Sequence, residues 1–131
     1  EGALYTINKA LQISPDEIGA LVMLVEIAAF RGDAAAVDAS MKRLQAKHAG
    51  QLPTVLTAGH VAMSRRQWPQ AIALYQRAFE RESSTPVALV LAHAYLSNNQ
   101  PDKALLLLAD HLDLWSDPLF WQEETGEEDA S

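Results

Sequence analysis

The sequence predicts an all-α fold of stacked, antiparallel helix pairs, about seven helices in all. Three observations point to it. A polar turn followed by a small-residue helix start occurs three times, and Val37, Ala71 and Ala104 correspond at spacings of 34 and 33 residues. Upstream of each turn, apolar residues fall at i, i+3, i+4 and i+7, the pattern of one helical face. Pro53, Pro69, Pro86 and Pro101 each open a predicted helix, because the first helical N–H has no intrahelical partner to lose. No stretch alternates like a strand, and no Asn-Gly or Asp-Gly hairpin turn occurs.

The elements follow in order. Ala3 lies one period before Val37 and opens a helix that runs to Ile13. It stops before Ser14 and Pro15, since proline pushes its predecessor out of the helical region. Leu21, Leu24, Val25 and Ala28 mark the next helix, and the turn Arg31, Gly32, Asp33 closes it. Val55, Ala58, Gly59 and Ala62 mark the helix before the turn at Arg66 and Gln67. Ala88, Leu91, Ala92 and Tyr95 precede the turn at Asn99 and Gln100, with Thr85 expected as N-cap for Pro86. Beyond the last pair, Asp117 and Pro118 suit an N-cap and first turn. A short helix over 118–124 is expected to lay Leu119, Phe120 and Trp121 on the open end of the stack. An aromatic anchor for a partner is the alternative. The predicted units are 1–15 (second helix of a truncated pair), 16–51, 52–84 and 85–116 (full pairs), and 117–131 (capping helix and acidic tail).

Charge narrows the function classes. The net charge is −7, but five of the 17 acids crowd into the last nine residues. The remaining 12 acids face 10 bases, so the body is close to neutral. That argues against nucleic-acid binding, which needs a basic face. The longest apolar run, Ile18–Phe30, carries Glu26 and is shorter than the roughly 18 residues of a membrane span. With no cysteine, thiolate catalysis, disulfides and Cys-ligated zinc are excluded. The chain begins at Glu1 without a signal-peptide pattern, and an excised piece of a longer protein is expected.

The period and the helix–turn–helix unit resemble the tetratricopeptide repeat (TPR) family over residues 1 to about 115. The family's small-residue positions fall on Gly59 and Ala92 in first helices. In second helices they fall on Ala3, Ala71, Ala104, Ala10 and Ala78. Its aromatic positions fall on Tyr95 and Tyr75, and its closing proline on Pro15. Val25, Val37, Leu44 and His111 depart from the pattern. The resemblance implies a right-handed α-solenoid whose first helices line a concave groove, and a non-catalytic protein–protein interaction scaffold. More weakly, the Ala/Leu-rich repeats with Gly-Asp turns are similar to TPR arrays of bacterial exopolysaccharide synthesis and export proteins. That would favour the periplasm or envelope over the cytoplasm.

Carried over residue by residue, the implied groove comprises Val22, Glu26, Phe30, Leu56, His60, Met63, Leu89, His93 and Leu96. Val22, Leu56, Met63, Leu89 and Leu96 would make an apolar floor. Glu26, His60 and His93 would make a polar column. The Lys and Asn with which chaperone-binding members grip a terminal carboxylate are absent: Val22, Leu56 and Leu89 stand for the Lys, and Glu26, His60 and His93 for the Asn. The expected ligand is therefore another protein or peptide with apolar anchors. The aligned histidines lack the spacing of a metal motif, and no metal or cofactor is expected. No glycine-rich phosphate loop or G-x-S-x-G elbow occurs. Two further readings stay open: self-association through Leu4, Ile7 and Leu11 of the truncated helix, setting the oligomeric state of a larger parent, and carbohydrate binding.

Overall fold

The computed structural model describes residues 2–119. They form seven α-helices: α1 (Gly2–Ile13), α2 (Ile18–Phe30), α3 (Ala34–His48), α4 (Leu52–Ser64), α5 (Trp68–Arg81), α6 (Thr85–Ser97) and α7 (Pro101–His111). A 3-10 turn over Leu114–Ser116 follows. No strand occurs among the described residues.

The turns repeat as backbone geometry, not only as sequence. Gly32, Arg66 and Asn99 adopt φ of 72°, 58° and 59°, in the left-handed region. In each turn the next N–H reaches five residues back. Asp33 donates to Ala28, Gln67 to Ala62 and Gln100 to Tyr95, at 3.0, 2.9 and 2.8 Å. This is a left-handed helix cap that satisfies carbonyls the helix end would otherwise leave bare. Glycine holds that conformation at no steric cost in only one of the three turns. The helix starts shift slightly from expectation. Pro101 is the first residue of α7, but Pro53, Pro69 and Pro86 each sit one residue inside. The second N–H of a helix is also without a partner, so proline is tolerated there equally well. The residue before α6 is Ser84, not Thr85, and its side chain makes no capping bond. Glu17 and Asp33 do cap α2 and α3, accepting from Ala20 and Ala36 at 2.9 and 3.1 Å.

Each helix packs on the next, and α2 also packs along α4. Ile7 and Leu11 of α1, Leu21, Val25 and Ala28 of α2, and Val37 and Leu44 of α3 form one core, which Val61 of α4 touches. Ala62, Ala71, Ile72, Tyr75, Leu91 and Ala94 form a second across α4, α5 and α6. Small residues set the spacing of that second core. A Cβ on Gly59 would lie 2.4 Å from the Tyr75 ring, so glycine is what lets α4 and α5 approach. Ala71 and Ala78 are fully buried for the same reason.

The ends leave apolar surface. Ile7 and Leu11, expected to stay open for self-association, are instead buried in the first core, and the exposed apolar groups of α1 are Tyr5 and Ile13, at 65% and 85%. Asp117 accepts from the Leu119 N–H at 2.9 Å, as an N-cap does, but Leu119 is 69% exposed. Phe120, Trp121, the rest of the expected cap and the acidic tail lie outside the described residues, as does the side chain of Ala3.

Candidate partner-binding face

The candidate face begins with an unusual composition. The helices α2, α4 and α6 have 13 residues each, and Glu26 is the one Asp, Glu, Lys or Arg among them. A helix apolar on all sides is normally covered on all sides. Here the outer helices α3, α5 and α7 and the shared cores cover only part of that surface. Met23, Phe30, Leu89 and Leu96 remain 45%, 94%, 51% and 55% exposed.

The structure sorts the predicted site residues. Val22 packs on the first core, and Leu56 and Met63 on the second, so all three are half-buried supports. Leu89, Leu96 and Phe30 are exposed apolar groups. Glu26, His60 and His93 are exposed polar ones. Glu26 and His60 act on each other electrostatically. His93 makes no hydrogen bond or ring contact with His60 among the described residues, so the column does not join into one cluster. No group of three or more His, Asp or Glu among the described residues is placed to hold a metal.

Between α4 and α6 lies a notch of about 150 Å³ lined by Leu56, His60, Pro86, Val87 and Val90. The notch is open to solvent, and its apolar walls suit the end of an aliphatic side chain. Sequence reasoning missed Val87 and Val90 as lining, because they fall neither on the stripe Ala88, Leu91, Ala92 and Tyr95 nor on the implied groove positions Leu89, His93 and Leu96. A larger crevice of about 320 Å³ runs between α3 and α4, lined by Asp38, Lys42, Gln45 and Arg65 among others. The Arg65–Asp38 ion pair, 2.8 Å long, stands in that lining. Its charged walls offer less desolvation gain than the notch, so size alone does not make it the better site.

His60 gives the notch its one polar wall. Its Nδ1 lies 2.5 Å from the hydroxyl of Tyr75, and the rings are 5.4 Å apart. Burial pushes the Tyr75 hydroxyl up to about 12, so it stays protonated. Desolvation holds the imidazole below its ordinary 6.5, against a smaller upward pull from Glu26. A neutral imidazole that accepts from Tyr75 at Nδ1 carries its own proton on Nε2. The face thus presents a neutral donor within an apolar wall.

Comparison with known proteins gave no match: no family model, no curated protein and no solved structure resembles the chain closely enough to identify it.

Proposed function

We propose that the chain is a non-catalytic scaffold of TPR type that binds an apolar segment of another protein along α2, α4 and α6. One observation carries the reading. Three helices hold a single formal charge, yet keep Leu89, Leu96, Met23 and Phe30 in solvent, and two of the three also line an apolar notch. Exposed apolar side chains on otherwise uncharged helices are a feature of interaction sites. Support for the solenoid comes from the turn repeated at 34 and 33 residues, from helices that pack on their successors, and from the Gly59–Tyr75 contact. The composition extends the proposal to a bacterial envelope assembly for exopolysaccharide as its setting.

Selection of a random 12-residue peptide library displayed on phage tests this, using the full chain as bait. Peptides rich in aliphatic residues are expected, with binding reduced at least about tenfold in Leu89→Asp and Leu96→Asp variants, both at exposed positions. Peptides that bind both variants as well as the parent would place the site elsewhere.

A further inference from the structure

The lone charge on this face specifies the ligand further. We propose that the segment bound along α2, α4 and α6 carries a Lys or Arg beside an aliphatic anchor, the cation on Glu26 and the anchor in the notch between Leu56 and Val90. This rests on the functional reading above and deepens it.

Glu26 is exposed and makes no hydrogen bond or ion pair among the described residues. Three cations of the body have partners other than Glu26. Arg65 pairs with Asp38, Lys47 with Asp16, and Arg43 donates to the Pro15 carbonyl. A purely apolar ligand laid over Glu26 would strip water from a carboxylate and return nothing. An acidic ligand would add repulsion. A cationic group converts the same desolvation into a charge-assisted hydrogen bond.

The two subsites are neighbours. Glu26 lies on α2, which packs along α4, and His60 of α4 is a wall of the notch. Packed helices stand about 9–10 Å apart, and the notch lies about half a spacing beyond α4, a span an extended chain crosses in about four residues. The cation therefore belongs about four residues from the anchor. Between them, the neutral Nε2–H of His60 suits a backbone carbonyl. A second copy of this chain fits less well: presenting the same face, it would bring another Glu26 and no cation.

The test is the composition of the selected 12-residue peptides, followed by charge reversal. Lys or Arg is expected within about four residues of a Leu, Ile or Met anchor. Replacing that cation by Glu in a fluorescein-labelled synthetic peptide should weaken binding to the full chain about tenfold in fluorescence anisotropy. Glu26→Lys should weaken the cationic peptide similarly and restore the Glu-bearing one. Glu26 is exposed, and circular dichroism should show the variant folded as the parent. Peptides selected for aliphatic anchors alone, indifferent to Glu26→Lys, would overturn this inference and leave the scaffold reading standing. No peptide binding at all would overturn both. Dimerisation of the chain that Leu89→Asp abolishes would identify a second copy as the occupant and also overturn it.

Discussion

The helices α3, α5 and α7 and the helices α2, α4 and α6 form two sets that differ in charge. α3, α5 and α7 carry Asp38, Lys42, Arg43, Arg77, Glu80, Asp102 and Lys103 on faces open to water. α2, α4 and α6 carry Glu26 alone. Both sets supply residues to the same cores, so the need for a core does not explain the difference. A solvated face tolerates charge without cost, and an apolar face left in water is retained where something else covers it. Under the proposed function, α3, α5 and α7 would be support and α2, α4 and α6 contact surface.

The comparison breaks first if the cores are not shared. Leu21 is fully buried, and Leu21→Ala should cost about 3 kcal/mol in urea unfolding. A cost below about 1 kcal/mol would mean that α2 does not anchor the first core. Gly59→Ala is the next largest. The gain in helix propensity of about 1 kcal/mol is outweighed by the collision with Tyr75, for a net loss of about 1–2 kcal/mol. It should also displace Tyr75 from His60. The His60 titration followed by NMR is then expected to move up toward 6.5, its ordinary value. An unchanged titration would separate the packing contact from the hydrogen bond.

Smaller effects sharpen the picture. Arg66 spends left-handed backbone in the turn where Gly32 spends none. Arg66→Gly should therefore stabilise by about 0.5–1 kcal/mol, read as a higher urea midpoint. A loss instead would mean that the Arg66 side chain contributes more than its backbone costs. The pH dependence has a definite sign. His60 titrates lower in the folded chain than the 6.5 of an unfolded one, so the fold favours the neutral ring. Its contribution is fully present above 6.5 and is lost as pH falls through the lower folded value. The urea midpoint should fall on acidification across that window, and His60→Asn should flatten the slope. A midpoint that rises with acid would contradict the desolvated ring.

Much of the fold was legible because it depends on local pattern. The apolar run Ile18–Phe30 became α2 with the same ends. The repeated turns were read from Gly32, Arg66 and Asn99, and the close approach from Gly59. The site was legible only in part. Val22, Leu56 and Met63 were expected, from the resemblance, as a groove floor, and the structure packs them on the cores instead. The His60–Tyr75 bond was not legible, because it joins two helices across 15 residues and depends on their separation. The notch depends on α6 standing off from α4, a tertiary distance that no single helix encodes. The capping residue of α6 was misplaced by one position because Ser83, Ser84 and Thr85 are all capable caps.

Leu89→Asp offers the sharpest test of a contact surface that the fold does not need. Leu89 is 51% exposed and lies outside every core. The urea midpoint should stay within about 0.5 kcal/mol of the parent, while affinity for a selected aliphatic peptide falls at least about tenfold. A destabilised chain, or one that binds the peptide unchanged, would contradict the division into a supporting layer and a contact layer.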